Sequence, residues 1–348
     1  KIIDEENVII GSGAGGSTIA FELLKKGKKS IILEEGPDVR SLDNSSIGKN
    51  IVNLYKNNGA TPILSSNKGP LIGYGQGSCV GGSTYVNAGY FSTTPEWIFK
   101  NWLKEKRTIL SYEDFKKLIN EIKLEMQINT ENLTSRDGDS KFLLDRSKKI
   151  NWKVEKCERF STGIEGKEKQ NMNTSYHKEL LNKDIDIIYN CKVEKIETNN
   201  SIAKSIIASN TTDNKKYYFK FKNLFINGGP ISTPFLLLKN KLLKFEKKQN
   251  NFEFHINFKI IVKFKNEINL NLSNKFDPNL PISIYFMREF EKEGALLSAA
   301  NSELPYMLAT CSHFDEKIKK DVCENYKNYA MYIYQIKSNS LGKIKNFF

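Results

Sequence analysis

The sequence predicts an α/β fold with two domains: a Rossmann-like domain that carries a β-meander, and an α+β domain built on an antiparallel sheet with helices. Three features lead to this prediction. An apolar run at residues 8–10 ends in glycines and continues into a helical segment at residues 17–26. Alternating apolar and polar residues between 191 and 222 predict the meander, and strand-like runs after residue 254 predict the antiparallel sheet.

The first glycine turn has the spacing GxGxxG, formed by Gly11, Gly13 and Gly16. In such a turn the first glycine permits the tight bend, the second lets the backbone approach a pyrophosphate, and the third allows close helix packing. The strand at residues 30–33 ends at Glu34, eighteen residues past Gly16, where an acceptor for ribose hydroxyls is expected. This order of elements predicts a dinucleotide site, and an ordinary glycine-rich turn is the alternative.

The composition excludes several classes of protein. The chain has 348 residues, enough for two domains with their own cores. Its formal net charge of +13 suggests a nucleic-acid partner, but only six of the 53 basic residues are arginines and the lysines are spread along the sequence. We therefore interpret the charge as a solvated surface and predict no nucleic-acid partner. No apolar run reaches about 18 residues, so no membrane span is predicted.

The five cysteines are an odd number and form no CxxC pair. They predict neither a disulfide framework nor a zinc site, so we expect no metal and a reducing, cytoplasmic compartment. Cys191 fits a buried small hydrophobe better than a reactive thiol. The sequence begins at Lys1 rather than methionine, which is compatible with a lost N-terminal leader.

A second glycine-rich segment, residues 73–87, lets the backbone lie close against a flat ligand, although a purely structural loop is the alternative. Its sequence G-G-S-T-Y-V-N at residues 81–87 resembles the first signature of the glucose–methanol–choline (GMC) family of flavin oxidoreductases. Ser78 departs from the family pattern, which has a basic or amide residue there. The resemblance implies that residues of this segment line the flavin and the pyrophosphate of FAD, namely Gly77, Gly81, Gly82 and Ser83, with Asn87 near the flavin ring.

A third segment, residues 224–238, reads as a buried strand, a Gly-Gly turn at Gly228 and Gly229, and a helix start with Pro234 near its first turn. It resembles the second GMC signature, except that Asn240 and Lys241 stand where that pattern closes with Ser-Gly. The resemblance implies that the two glycines approach the cofactor. It also implies that the backbone of Val193, in the meander, contacts adenine.

The predicted FAD-binding domain comprises residues 1–95 and 155–245, and the predicted substrate or cap domain comprises 96–154 and 246–348. The region 96–150 is predicted to be helical, with Ser111 opening a capping box. Loop structure is expected at 157–176. The strands predicted for the second domain are at residues 255–264, 281–287, 305–311 and 329–336.

The histidines offer no clear catalytic base. His255 opens an amphipathic strand on its polar side, and we expect it to make structural hydrogen bonds at the domain junction rather than to catalyse. His313 follows a strand-like run and is expected in a loop or at a sheet end. The GMC resemblance places the catalytic histidine in a segment beyond Phe348, so we expect this sequence to be a truncated fragment that is inactive alone. A split gene product and a degenerate member are the alternatives.

The function implied by the resemblance is FAD-dependent oxidation of an alcohol to a carbonyl, with hydride transfer to flavin N5. Two alternatives remain: a non-catalytic flavin-binding or interaction protein, and a nicotinamide (NAD) dehydrogenase. FAD is favoured over NAD because the second and third glycine segments have no role in a simple nicotinamide dehydrogenase. The sequence identifies neither the alcohol nor the electron acceptor.

Overall fold

The computed structural model describes residues 2–42, 46–59, 61–64, 72–130, 133, 137–161, 169–183, 185–243, 252–269, 283–300, 302–311, 314–338 and 342. The chain divides into two compact units. The first unit contains Lys1–Asn87, Asn171–Glu253 and Asn339–Phe348, and the second contains Ala88–Gln170 and Phe254–Ser338.

The strands of the described residues are, in chain order, β1 Ile2–Ile10, β2 Ile31–Leu33, β3 Thr61–Ile63, β4 Ile72–Tyr74, β5 Tyr90–Phe91, β6 Ile128–Thr130, β7 Val154–Lys156, β8 Glu158–Phe160, β9 Ile187–Ile188, β10 Cys191–Asn199, β11 Ile202–Asn210, β12 Lys216–Ile226, β13 His255–Lys263, β14 Tyr285–Met287, β15 Ala295–Ala299 and β16 Tyr329–Lys337. The α-helices are α1 Ala14–Lys25, α2 Ile47–Leu54, α3 Ser83–Val86, α4 Glu96–Lys104, α5 Tyr112–Glu125, α6 Gly138–Lys149, α7 Tyr176–Leu181, α8 Gly229–Lys239, α9 Leu304–Thr310 and α10 Glu316–Glu324.

The first unit is built on a six-stranded sheet with the order β10-β11-β12-β1-β2-β9. Strands β12, β1, β2 and β9 pair in parallel, and β10, β11 and β12 form an antiparallel meander. Residues of β1 alternate between two cores: Val8 and Ile10 pack with the meander, and Ile9 packs with α1 and α7. Both faces of the sheet are covered at residues 8–10, which explains why all three of these residues are apolar, as in a buried parallel strand.

The second unit is built on an antiparallel sheet with the order β13-β16-β15-β14-β7. Leu143 of α6 packs on one face with Ala330 and Tyr332, and Met307 of α9 packs on the other with Tyr329. Adjacent residues of β16 therefore face opposite cores. The α/β fold with an antiparallel second sheet agrees with the fold class predicted from the sequence.

The limits of the compact units differ from the predicted domain limits. Strands β5, β7 and β8 fall in the second unit, whereas the sequence interpretation assigned residues 88–95 and 155–170 to the first domain. These strands pair with one another or with the second unit's main sheet, which ties them to it. The assignment of FAD to one domain and substrate to the other stays a prediction.

Three local predictions were wrong. Residues 305–310 of the predicted strand at 305–311 lie in helix α9, since Pro305 occupies the first turn and Met307 and Cys311, the C-cap, lie one turn apart in the core. Pro234 lies inside α8, and Pro230 takes the first-turn position. Part of the predicted loop at 157–176 is strand β8.

Candidate functional site

The first glycine turn connects β1 to α1 in the first unit. Gly13 caps α1 without a side-chain hydrogen bond, and no acidic residue lies in the first helical turn. The backbone N–H groups in the first turn of this helix are therefore available to an anion. Two neighbouring glycines are required by packing. A Cβ on Gly16 would lie 1.9 Å from the carbonyl oxygen of Gly11, and a Cβ on Gly11 would lie 2.4 Å from the carbonyl oxygen of Asn227.

The glycine loop that precedes α3 meets this turn. A Cβ on Gly82 would lie 2.9 Å from the Cα of Gly13, so the two backbones are in direct contact. The loop also closes on itself, because the amide of Gly77 donates to Ser83 Oγ over 3.0 Å and a Cβ on Gly77 would meet the backbone of Gly82 at 2.6 Å. Gly81 and Gly82 are buried and both have positive φ angles, a conformation that favours glycine.

The turn between β12 and α8 joins the same cluster. Gly228 caps α8, and its carbonyl oxygen accepts a hydrogen bond from Gln76 Nε2 at 3.1 Å. A Cβ on Gly229 would meet that same nitrogen at 2.9 Å. The structure thus brings the three predicted glycine segments together within the first unit. Asn87 ends α3, where its amide donates to the carbonyl of Ser83, and its side chain is exposed.

Glu34 lies at the end of β2 and is almost completely buried. Its carboxylate accepts three hydrogen bonds, from the amide and the hydroxyl of Ser12 at 3.0 and 2.7 Å and from the amide of Gly36 at 2.9 Å. Burial raises the pKa of Glu34, although these hydrogen bonds oppose the rise. A carboxylate offers about four acceptor positions, and these hydrogen bonds occupy three of them.

Val193 lies in β10, which begins directly beside Glu34: the amide of Cys191 donates to the carbonyl of Glu34 at 2.7 Å. The pairing of β10 with β11 shifts register after Val193. Asn240 supports this bulge, because its Oδ1 accepts from the amide of Ile196 at 2.9 Å. The departure from the second GMC signature at Asn240 therefore has a structural use. Cys191 is buried, and burial raises the pKa of its thiol to about 12, as expected for an unreactive cysteine.

Several residues of this cluster were missed by sequence reasoning. The hydroxyl of Ser12 donates to Glu34 and accepts from the amide of Gly81 at 3.0 Å, so one side chain links two predicted segments. Asn227 Nδ2 is buried without a partner among the described residues, and the side chain of Asn227 lies against Gly15 at the start of α1. Serine in GxGxxG and asparagine before a Gly-Gly turn are common residues, and nothing in their spacing marks them.

Two of the three histidines can be placed. His177 is buried in the first unit, with both ring nitrogens within 2.7 Å of a side-chain oxygen. His255 is exposed at the start of β13, and among the described residues its side chain forms no hydrogen bond. The expected structural hydrogen bonds of His255 therefore do not appear in this part of the chain. His313 lies outside the described residues.

The cluster fits a dinucleotide. An uncapped helix start without acidic residues suits a diphosphate, and the backbone at Gly13 is open enough that a Cβ there would meet no atom of the chain closer than 3.9 Å. The side-chain nitrogen of Asn227, which has no partner among the described residues, is a further donor near the same helix start. Among the described residues, no group of three or more His, Cys, Asp or Glu is placed to hold a metal, and no helix is both long and apolar enough to cross a membrane.

Comparison with known sequences gives one family. A profile described as GMC oxidoreductase matches residues 6–256. A long-chain-alcohol oxidase of Arabidopsis thaliana is 26% identical over 205 residues, which are 56% of this chain and 26% of that protein. An uncharacterized GMC-type oxidoreductase of Sinorhizobium fredii is 33% identical over 103 residues, 29% of this chain and 20% of the relative. The matches thus span about a quarter or less of these relatives.

Solved structures share the fold at low sequence identity. A formate oxidase variant of Aspergillus oryzae RIB40 superposes with a TM-score of 0.70 at 12% identity, over 97% of this chain and 74% of that protein. Pyridoxine 4-oxidase from Mesorbium loti gives a TM-score of 0.65 at 11% identity, over 97% and 72% of the two chains. At these identities the likeness establishes the fold alone.

Proposed function

The chain belongs to the GMC oxidoreductase family, and from this premise we propose that it holds FAD on its first unit and takes part in oxidising an alcohol to a carbonyl compound. Members of the family are FAD-dependent oxidoreductases, so FAD is the cofactor of this chain. When bound, FAD supplies the acceptor for the hydride that leaves the alcohol carbon. The remaining chemistry of the proposal concerns how the chain binds and orients the cofactor.

The observation that best supports the proposal is the convergence of the three glycine segments at the start of α1. In the proposed arrangement, the first amides of α1 and the backbone at Gly13 hold the diphosphate, and Gly82 forms the opposite wall. The free acceptor position of Glu34 receives a ribose hydroxyl, and the backbone of Val193 receives adenine. Asn87, exposed at the end of α3, is the proposed neighbour of the flavin ring.

Gly13→Val tests this site with little disturbance of the fold. A Cβ on Gly13 has 3.9 Å to its nearest neighbour in the chain, so the added methyl groups enter the space proposed for the diphosphate. We expect the variant to fold and to lose FAD binding. Purified protein is incubated with FAD and desalted, and retained flavin is read from absorption at roughly 370 and 450 nm.

Two further glycine variants serve as controls for Gly13→Val. Gly16→Ala places its methyl group 1.9 Å from a carbonyl oxygen, so we expect it to lower thermal stability. Gly48→Ala, in α2, meets no atom within 4 Å and should match the wild type in both stability and flavin content. Wild-type flavin content in folded Gly13→Val would place the cofactor elsewhere. A wild-type protein that stays colourless but binds NADH would reject FAD.

The alcohol is tested on the FAD-loaded protein under anaerobic conditions. Primary alcohols of increasing chain length are added with and without imidazole as an external base, because neither His177 nor His255 is placed as a catalytic base. We expect an alcohol to bleach the flavin band in the presence of imidazole. If dithionite reduces the bound flavin but no alcohol does so in either condition, alcohol oxidation is rejected and FAD binding stands.

A further inference from the structure

A chain of buried polar side chains crosses the first unit beside the glycine cluster. Ser17 Oγ, on α1, lies 2.7 Å from His177 Nε2 on α7. His177 Nδ1 lies 2.7 Å from Asn173 Oδ1, and Asn173 Nδ2 donates to the carbonyl oxygen of Val80 at 2.8 Å. Ser17 is fully buried and His177 is 2% exposed. The proposed function does not use this chain of groups.

The hydrogen bonds of this chain have defined directions. A carbonyl oxygen can only accept, so the amide nitrogen of Asn173 must face Val80 and its oxygen must face His177. Nδ1 of His177 therefore carries a proton. In a neutral imidazole Nε2 is then an acceptor, and the hydroxyl of Ser17 donates to it. A protonated imidazole would instead donate from Nε2 to Ser17, whose hydroxyl would turn to the carbonyl oxygen of Ser12, also 2.7 Å away.

The two ends of this row of side chains, Ser17 and Asn173, contact the glycine segments. At one end, the hydroxyl of Ser17 is used by His177, and the backbone amide of Ser17 donates to the carbonyl oxygen of Gly13 in the first glycine turn at 3.0 Å. Within that turn, the hydroxyl oxygen of Ser12 accepts the amide of Gly81. At the other end, the side chain of Asn173 lies against Gly81, where a Cβ would meet it at 3.0 Å. The side chains of Ser17, His177 and Asn173 therefore connect the first glycine turn to the loop around Gly81 on the side of α7. This connection is additional to the bond between Ser12 and Gly81.

His177 borders a small cavity, and burial is the main influence on its charge state. Asp38, Arg40 and Tyr189 are the titratable side chains that line this cavity with the imidazole. Asp38 and Arg40 form an ion pair of 2.6 Å. Burial lowers the pKa of His177 to about 4, with a smaller contribution in the same direction from Arg40 and an opposing one from Asp38. The imidazole is therefore neutral at physiological pH.

We propose that Ser17, His177 and Asn173 are positioning residues for FAD: a neutral imidazole, donating through Nδ1 and accepting through Nε2, fixes the separation between the first glycine turn and the loop around Gly81. In this proposal the three residues act on the two backbone segments and not on the cofactor itself. The inference rests on the proposed function, because the two segments are the proposed walls of the diphosphate site. The three residues raise FAD affinity by holding those walls in place before the cofactor binds.

The first test needs no FAD. The chain contains three histidines, so ¹⁵N-histidine labelling gives a spectrum simple enough to assign with single His→Asn variants. We expect His177 to show a neutral ring with the proton on Nδ1 and a bare Nε2, unchanged between about pH 5 and pH 8. A proton on Nε2 alone, or a charged ring at neutral pH, would overturn the proposed network whether or not the protein binds FAD.

The second test measures FAD affinity by quenching of flavin fluorescence. His177→Asn keeps a donor toward Asn173, and His177→Gln keeps a group near Ser17, so each variant retains one half of the connection. We expect about 10- to 100-fold weaker FAD binding in each, with faster amide exchange at Gly81. His255→Asn makes the same change at an exposed site of the second unit and should bind FAD like the wild type.

The outcomes separate the two proposals. If His177→Asn and His177→Gln both fold, as judged by circular dichroism, and bind FAD with wild-type affinity, the positioning role is rejected and the FAD site stands. If the wild type binds no FAD, the proposed site fails, and the tautomer of His177 still reports whether the network exists. Weaker FAD binding with unchanged thermal stability supports positioning over a merely structural contribution.

Discussion

At the scale of the residue, the second unit buries a carboxyl group in its core. Asp139, in the first turn of α6, accepts hydrogen bonds from the amide of Ser140 at 2.6 Å and from the hydroxyl of Ser302 at 3.0 Å. Burial raises its pKa to about 7 in spite of these two donors, which favour the charged form. The folded protein therefore holds a proton on this group at pH values where the unfolded chain has lost it.

Asp139→Asn should remove this source of pH dependence. Because the folded pKa is raised, the stability that Asp139 contributes is fully present below about pH 4 and is lost as the pH rises through about 7. The amide can keep both contacts, accepting from Ser140 and donating to Ser302. We expect urea unfolding to show the variant gaining about 2–3 kcal/mol relative to the wild type between about pH 5 and pH 8. A constant difference across that range would contradict the raised pKa.

At the scale of the element, helix α5 follows its sequence signals closely. Ser111 caps it: the hydroxyl accepts from the amide of Asp114 at 3.0 Å and donates to the carboxylate of Asp114 at 2.7 Å. Phe115 of α5 stacks on Phe99 of α4, with 4.7 Å between ring centroids. The cap at Ser111 is a local feature, and it was predicted from the sequence. Helix α9 is the opposite case, because a seven-residue apolar stretch fits a strand as well as a helix.

Ser111→Ala should destabilise the second unit by about 0.5–2 kcal/mol, since the amide of Asp114 loses its acceptor at the start of α5. Ser111→Thr keeps the hydroxyl and should recover most of this stability. Urea unfolding followed by tryptophan fluorescence measures both, since Trp102 of α4 contacts Phe99, on which Phe115 of α5 stacks. Equal stability of the alanine and threonine variants would show that the cap contributes nothing.

At the scale of the whole molecule, the two compact units divide the predicted roles. All twelve residues predicted to bind FAD fall in the first unit, from Gly11 to Asn87 and from Val193 to Gly229. The buried aspartate and the antiparallel sheet belong to the second unit. The separation of cofactor binding from substrate binding stays a prediction, and it assigns the two roles to two separate cores.

Hydrogen exchange tests this division. FAD at about 100 times its dissociation constant stabilises a binding unit by about 2.7 kcal/mol. We expect added FAD to slow exchange most in peptides of the first unit, above all around Gly13, Gly81 and Gly228. Peptides of β13, β15 and β16 in the second unit should change less. Protection concentrated in the second unit would contradict the predicted assignment of the cofactor.

The sequence by itself determined the features that depend on near neighbours. The GxGxxG turn, the strand that leads to Glu34, the meander and the cap at Ser111 are set by backbone freedom, hydrophobic period and hydrogen bonds within a few residues. The tertiary structure decided which distant groups meet. Ser17 and His177 are 160 positions apart, and Ser12 joins Glu34 to Gly81 only because β1, β2 and the glycine loop are packed together. A buried polar atom takes its hydrogen-bond partner from whichever group the fold packs against it, and that group can be far away in the sequence. Such pairs therefore leave no local pattern in the sequence.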